Sequence, residues 1–287
     1  MQGKLDPHAR LWLPPLALSG CVRAAVLRDT RGAGLAGDAL LNHFPATPLM
    51  SLIWWLQGRA DVLDAPGFAP SVGSSDEGCD GVLDVAGPFS APCLSRCRGD
   101  IHVMQLLFQP DALQALTGIE PAALLNRVRP PRGLLPPDWL AWADAVAAAP
   151  DDGTRLCLVE SFLLPRWQAV AAGRPPLGRY RAWAEHLALR AATSAAGRSV
   201  RQAERRIKAW AGLPMRELRA LSRAEEAFLA TGAAQGTQRW ADVAAEHGYA
   251  DQSHLCRETR RITGFSPAEL ERRVRQDPSF WAYRLWL

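Results

Sequence analysis

Short apolar runs dominate the first half of the chain. Residues 49–56, 81–86 and 102–108 are each bounded by Gly, Pro or Asp, a pattern that favours strands over helices. A helical turn follows from Pro110 to Gly118, and apolar residues then recur at helical spacing between positions 137 and 170. Pro165 lies inside this helical pattern and predicts a kink or a break there. We therefore expect strands followed by helices in this half.

The second half is separated from the first by a proline-rich segment and is predicted to be helical throughout. Residues 173–178 read Gly-Arg-Pro-Pro-Leu-Gly, which is typical of a linker. We therefore predict an N-terminal domain over residues 1–172, a linker over 173–178 and a second domain over 179–287.

A weak internal repeat lies within this helical part. A shift of 52 residues places residues 199–218 over 251–270, with Arg205 on Arg257 and Gly212 on Gly264. Each copy predicts an amphipathic helix with a basic outer face, which begins after Ser199 or Asp251 and ends at the glycine. The apolar stripe of the first copy comprises Val200, Ala203, Ile207 and Trp210.

The residues before the second copy predict a helix-turn-helix. Ala244 allows two helices to pack closely, Gly248 suits a tight turn, and Tyr249 would fill the core between the helices. A further helix, predicted from Arg216 to Ala230, joins the two copies and would span about 22 Å. Such a spacer could hold two reading helices in successive major grooves, which lie about 34 Å apart.

The charge distribution points to the same kind of partner. Residues 1–170 contain 13 Lys and Arg against 17 Asp and Glu, whereas residues 171–287 contain 20 against 12. The overall net charge of +4 hides this asymmetry. An acidic half joined to a basic, arginine-rich half suggests that the second half meets a polyanion, most often nucleic acid.

Several classes of protein are not expected. No run of eighteen apolar residues lacks a charge or a proline, so we predict no transmembrane helix and no membrane partner. Asp6 and nearby prolines argue against a signal peptide, and six cysteines suit a reducing cytoplasm. A Ser-His-Asp set, a phosphate-binding glycine loop and a paired-carboxylate motif are missing from recognisable contexts, so we expect neither an enzyme nor a cofactor.

The segments Gly-Tyr-Ala-Asp-Gln-Ser-His-Leu-Cys-Arg at 248–257 and Gly-Phe-Ser-Pro-Ala-Glu-Leu at 264–270 resemble a known signature. They are similar to the C-terminal domain of AraC/XylS-type transcriptional regulators, over roughly residues 179–270. The resemblance implies an all-α DNA-binding domain with two helix-turn-helix subdomains, at about 179–215 and 236–270, joined by a linker helix at 216–231. Residues 212–215, Gly-Leu-Pro-Met, depart from the usual Gly-x-Ser-Pro. The apolar tail at 277–287 should dock on a domain surface or on a partner subunit.

The same resemblance, carried over by position, implies a set of DNA contacts. Arginine can bind guanine, glutamine can pair with adenine, and glutamate can accept a hydrogen bond from cytosine. The implied base-proximal residues are Arg201, Gln202, Glu204 and Arg205 in the first helix and Gln252, Ser253, His254 and Arg257 in the second. The implied phosphate contacts, which position the protein without reading sequence, are Lys208, Arg260 and Arg261.

The first half shows a fainter resemblance to the N-terminal domain of a subset of these regulators. The segments concerned are 44–53, 85–89, 108–113 and 159–164. This implies an α+β chain that begins with a small β-barrel-like domain with trailing helices, in a sensing or dimerising role. We therefore expect a sequence-specific regulator of double-stranded DNA that is controlled by an unknown small-molecule effector. The implied partners are a second copy of the chain and, for an activator, RNA polymerase.

Two alternatives remain open from the residues. Cys93 and Cys97, with Cys79 and His102 nearby, could belong to a thiol or metal sensor, or to a fused DNA-repair alkyltransferase with a zinc-held cysteine. Their spacing suits a metal poorly, so we expect ordinary buried or partly exposed cysteines and no metal site. The second alternative is a DNA-binding or dimerising scaffold without an effector. Trp54 and Trp55 could line an apolar pocket in the sensing case.

Overall fold

The architecture is that of a computed structural model, which describes residues 8–67, 82–171, 179–194, 199–233 and 238–287. The predicted linker at 173–178 and Cys79 lie outside the described residues. The division into domains at this linker therefore stays a prediction.

The strands of the described residues form two antiparallel sheets rather than one closed barrel, within the expected α+β fold class. The six-stranded sheet has the order β1-β2-β8-β4-β6-β9, and the three-stranded sheet has the order β3-β7-β5. The strands are β1 (Ala9–Trp12), β2 (Val22–Asp29), β3 (Leu41–Phe44), β4 (Met50–Gln57), β5 (Ala60–Asp64), β6 (Leu83–Ala86), β7 (Cys93–Cys97), β8 (His102–Phe108) and β9 (Val128–Arg129). Strands β4, β6 and β8 confirm the three predicted runs.

One face of the six-stranded sheet packs against three helices: α1 (Pro110–Thr117), α2 (Pro137–Ala148) and α3 (Asp152–Val170). Side chains alternate along β8, where every second residue from His102 to Phe108 is buried. Trp54 of β4 points to the same core and donates its indole N–H to the carbonyl of Ala143 in α2, at 3.1 Å. Period-two alternation thus gives the sheet one face for a core and leaves the other for a second layer.

The predicted break at Pro165 is wrong, because α3 continues through it from Asp152 to Val170. Proline removes one helical hydrogen bond, to the carbonyl four residues earlier. Pro165 and Ser161, which carries that carbonyl, are both exposed, so water can replace the lost donor. Leu163 and Trp167 are buried on either side and hold the helix on the core.

The second half of the chain is helical, as predicted. Its helices are α4 (Tyr180–Thr193), α5 (Val200–Ala211), α6 (Met215–Ala233), α7 (Trp240–Glu246), α8 (Gln252–Thr263), α9 (Pro267–Gln276) and α10 (Trp281–Arg284). Helix α6 extends the predicted joining helix at both ends. Ile207 is buried in the core shared by α4, α5 and α6, but Val200 is 81% exposed, so its place in the apolar stripe was wrong. Val200 is the first residue after the N-cap and has no core beneath it.

The apolar tail docks, as predicted, and it does so on two surfaces at once. Phe280 and Tyr283 pack with Leu270 and Val274 of α9. Trp281 faces the opposite way, packs with Val26 and donates its indole N–H to Asn42 Oδ1 of β3 at 2.8 Å. The tail therefore joins the last helices to the sheets.

No helix among the described residues combines the length and the apolar character needed to cross a membrane.

The core of α3 gives a matched test of packing. Val159 is fully buried, whereas Val170, at the end of the same helix, is 39% exposed. We expect Val159→Ala to lower the free energy of unfolding by about 2 kcal/mol, because it leaves a cavity in the core. Val170→Ala should change it by less than about 0.5 kcal/mol. Urea unfolding followed by tryptophan fluorescence measures both, and equal effects would contradict this packing.

Candidate DNA-binding surface

Helix α5 has well-defined ends that the local sequence explains. Ser199 Oγ accepts a hydrogen bond from the Gln202 backbone N–H at 3.2 Å, and Gln202 Oε1 accepts one from the Ser199 backbone N–H at 3.4 Å. This reciprocal capping box satisfies two N–H groups that the helix itself leaves unpaired. Gly212 ends the helix in the left-handed conformation, with φ of 74°. Both predicted ends of the first repeat are confirmed.

Helix α8 repeats this construction. Asp251 Oδ1 accepts a hydrogen bond from the His254 backbone N–H at 2.6 Å, and Gly264 ends the helix with φ of 87°. A carboxylate at this end also interacts favourably with the helix dipole. The two helices are twelve residues long and begin and end at equivalent positions of the 52-residue repeat.

The turn before α8 is built as predicted. Tyr249 is buried with Val243, Ala244 and Leu255, and Gly248 has φ of 72°. The His254 ring lies edge-on to the Tyr249 ring, with centroids 5.4 Å apart, and its Nδ1 accepts a hydrogen bond from the Ala250 N–H at 3.3 Å. His254 is therefore half-buried and supports the turn through its side chain.

The other candidate contact residues lie at the surface of the two helices. Nine of them are exposed on α5 or α8. Arg261 is also exposed, but it forms an ion pair with Glu217. The exposed nine are Arg201, Gln202, Glu204, Arg205 and Lys208 on α5 and Gln252, Ser253, Arg257 and Arg260 on α8. The side chain of Gln202 also serves the capping box. The geometry thus leaves two similar polar, mainly basic helix faces open to a partner.

Residues 192–273 match the sequence model of a family described as a helix-turn-helix domain. This region is a helix-turn-helix domain of the AraC type. Such domains place a reading helix in the major groove, so the chain is a DNA-binding transcription regulator. No curated protein is similar enough in sequence to match the chain.

Most of the chain can be superposed on solved structures of ToxT from Vibrio cholerae. An apo form from strain SCE256 with one lysine-to-alanine substitution has a TM-score of 0.39 at 10% identity, over 86% of this chain and 96% of that one. A form bound to an unsaturated fatty acid has a TM-score of 0.34 at 11% identity, over 81% and 94%. A form bound to (E)-4-(8-methylnaphthalen-1-yl)but-3-enoic acid has a TM-score of 0.34 at 10% identity, over 80% and 94%.

Two ion pairs that the sequence analysis missed connect α6 to α8 within the helix-turn-helix domain. Arg261 Nη1 lies 2.6 Å from Glu217 Oε2, and Arg223 Nη2 lies 3.0 Å from both carboxylate oxygens of Glu258. The Arg223 guanidinium also lies over the ring of Tyr249, 5.4 Å from its centroid. These pairs fix α8 to α6. No local sequence pattern could have identified them, because the partners are 44 and 35 residues apart.

A second candidate site is a large cavity of about 2400 Å³, which we call the chamber. Its walls are the open face of the six-stranded sheet, the three-stranded sheet, helices α6, α8 and α9, and the C-terminal tail. Ile53, Val103 and Leu107 supply apolar wall, and Gln105 Nε2 donates a hydrogen bond to Ser51 Oγ at 3.0 Å. The chamber exceeds the usual size of a ligand pocket because it continues into the cleft between the two halves.

One side of the chamber carries a half-buried acid. Asp84 Oδ2 accepts hydrogen bonds from Trp55 Nε1 at 2.8 Å and from Arg59 Nη1 at 3.1 Å. Burial raises the pKa of Asp84, and these two partners act in the opposite direction. Trp55 thus lines the chamber as one sequence alternative supposed, whereas Trp54 belongs to the opposite core.

The two cysteines of β7 are buried or half-buried. Cys93 and Cys97 share the chamber face of the strand, but burial raises the pKa of Cys93 to about 11, so little reactive thiolate would be present at neutral pH. Cys97 is buried and accepts a hydrogen bond from Asn42 Nδ2 at 3.4 Å. The part of the chain that the structure describes contains no cluster of three or more His, Cys, Asp or Glu side chains suited to a metal ion.

Proposed function

We propose that the chain recognises specific double-stranded DNA sequences with α5 and α8 as its two reading helices. The observation that carries the proposal is the repeat itself. Two helices of equal length, each capped at both ends and each with an exposed basic face, lie within one helix-turn-helix domain. A regulator of this kind would read two blocks of sequence on one face of DNA.

The exposed side chains divide into two proposed roles. Those near the first turns and the middle of each helix would contact base edges, and those near the C-terminal ends would contact phosphates. The base contacts are Arg201, Gln202, Glu204, Arg205, Gln252, Ser253, His254 and Arg257, and the phosphate contacts are Lys208, Arg260 and Arg261. Arg261 would have to share its guanidinium with Glu217, and His254 would act from a half-buried position.

Arg257 and Arg260 on α8 distinguish the two roles. Arg257→Ala should remove a base contact worth about 1–3 kcal/mol on the preferred sequence and little elsewhere, so the preference flattens. Arg260→Ala should weaken binding to all sequences alike and lower the slope of log affinity against log salt concentration by about one unit. Salt titrations of each variant on preferred and scrambled duplexes measure both effects. Equal loss of preference in both variants, or in neither, would refute this assignment of roles on α8.

We further propose that the chamber binds a small-molecule effector. Its apolar sheet face with a few polar groups, Ser51, Gln105 and Asp84, is typical of ligand pockets. The tail residue Trp281 is part of the wall, so a bound molecule would touch the C-terminal region as well as the sheets.

Effector binding in the chamber can be tested by blocking the chamber with a larger side chain. A ligand present at a hundred times its Kd stabilises the folded state by about 2.7 kcal/mol, a rise in Tm of about 5–10 °C. We expect pools of small metabolites to contain a compound that raises the Tm of the unaltered protein but not of Ile53→Trp. Val170→Trp, which adds a large residue at the exposed end of α3, is the control and should respond normally. A response that survives Ile53→Trp would place the ligand elsewhere, and no response from any pool would support a scaffold without an effector.

We also propose that the regulator acts as a homodimer, and with RNA polymerase if it is an activator. Many regulators built on this domain act in pairs, and operator symmetry mirrors that of the protein. Light scattering at micromolar concentration, with and without DNA, tests the dimer. A monomer under both conditions would count against it.

A further inference from the structure

The C-terminal end of the first reading helix lies directly against the sheet domain. A Cβ atom added to Gly212 would lie 3.1 Å from Pro88 Cγ and 3.2 Å from the carbonyl carbon and oxygen of Pro121. Gly212 is buried, although it stands at the end of a helix whose other face is exposed. These distances are tighter than ordinary Cβ contacts, so Gly212 permits a close approach of the end of α5 to the loops of the sheet domain.

Helix α4, which packs on α5 in the same subdomain, is held by a buried carboxylate of the sheet domain. Asp111 is 3% exposed and accepts hydrogen bonds from Trp183 Nε1 at 2.9 Å and from Arg190 Nη1 at 3.0 Å. Both donors come from α4, so the contact fixes that helix in position and in rotation. A buried carboxylate with two such donors is costly to separate, because each group would lose its partner.

The second reading helix ends against the same domain at the equivalent position. The Ala46 backbone N–H donates to the carbonyl of Ile262 at 2.8 Å, which satisfies one of the carbonyls that a helix leaves unpaired at its end. A Cβ on Gly264 would lie 3.8 Å from Pro92 Cγ, an ordinary contact. The two C-terminal ends of the repeat thus both meet neighbouring loops of the sheet domain.

The tail strengthens this second attachment. The Phe280 ring stacks on His43, with centroids 4.4 Å apart, and the Trp281 indole N–H donates to Asn42. Arg284 donates to the carbonyls of Val274 and Asp277, at 2.8 and 2.9 Å, and so ties the tail to α9. The second subdomain is therefore held through α8 and through the tail.

We infer that the sheet domain positions the two reading helices relative to each other, and so sets the spacing of the two DNA blocks that the protein accepts. Residues 42–47, 88–92 and 121, which we call the rim, together with Asp111, form the common support. Asp111 and Asn42 are positioning residues that touch no DNA in this scheme. The inference rests on the proposed reading of DNA by α5 and α8.

The physical reason is that α6, even with its two ion pairs to α8, can still bend and twist between the two subdomains. Attaching both reading helices to a third body restrains those motions before DNA is bound. Inserting one base pair between the blocks moves them apart by about 3.4 Å and rotates them by about 35°. A rigidly supported pair of helices would tolerate such a change poorly, whereas a pair joined only by α6 would adapt.

The test uses full-length protein and a duplex selected from a random-sequence library by the unaltered protein. Derived duplexes carry one, two or three extra base pairs between the two blocks, and one duplex carries a single block. The variants are Asp111→Asn, Asn42→Ala and the double variant. Asp138→Asn is the control, since Asp138 pairs with Arg166 within the sheet domain.

We expect the two-base-pair insertion to lower the affinity of the unaltered protein at least tenfold. In the double variant this penalty should shrink at least threefold, and Asp138→Asn should keep it. Binding to the single block should stay within twofold, which shows that each subdomain remains folded. Trp281→Phe removes the N–H donor to Asn42 from the other side and should relax spacing as Asn42→Ala does.

Three results would overturn the inference. An unchanged insertion penalty in the double variant would mean that α6 alone sets the spacing. Loss of single-block binding in that variant would mean that Asp111 and Asn42 act in folding rather than in positioning. If the library yields no preferred duplex for the unaltered protein, the proposed reading of DNA fails first, and the inference fails with it.

Discussion

Both faces of the six-stranded sheet must be covered by other elements, and the rest of the structure depends on how each face is covered. Helices α1–α3 cover one face with an aromatic core, in which Trp54 and Trp142 meet at 5.4 Å. The other face is covered by the small sheet and by Trp281 from the far end of the chain, whose ring lies 4.2 Å from the Arg28 guanidinium carbon. Because the C-terminal tail supplies part of this cover, docking of the helical half follows from burial of the sheet. The chamber is the space that this cover leaves.

Local signals in the sequence were sufficient for strands β4, β6 and β8, for the helical second half and for the bounds of α5 and α8. Caps and left-handed glycines act within a few residues, so Ser199, Gly212, Asp251 and Gly264 could be assigned from the chain alone, as could strand β8. The same rules failed where the surroundings decide. Pro165 was tolerated because its helix face meets water, and Val200 was exposed because no core lies beneath the first turn.

The attachments between the two halves could not be predicted, because nothing local marks them. Asp111 and Trp183 are 72 residues apart, and Asn42 and Trp281 are 239 apart. In sequence, Asp111 looks like an ordinary acidic residue in the first turn of a helix, where it suits the dipole. Only the topology, which brings α4 across that turn, makes the carboxylate a buried acceptor. The chamber is equally non-local, since its walls come from both sheets, from helices of the second half and from the tail.

Three glycines of the helix-turn-helix region show how one residue can meet two requirements, a left-handed backbone and a close approach of another segment. Gly212, Gly248 and Gly264 all have positive φ, so each suits a backbone that side chains rarely adopt. Around Gly248 a Cβ would meet nothing within 4 Å, so backbone conformation alone explains that glycine. At Gly212 a Cβ would also press on Pro88 and Pro121, and at Gly264 it would just reach Pro92. The glycine that ends α5 therefore also permits a close approach to the sheet domain, and the 52-residue repeat places a looser contact with the same domain at the end of α8.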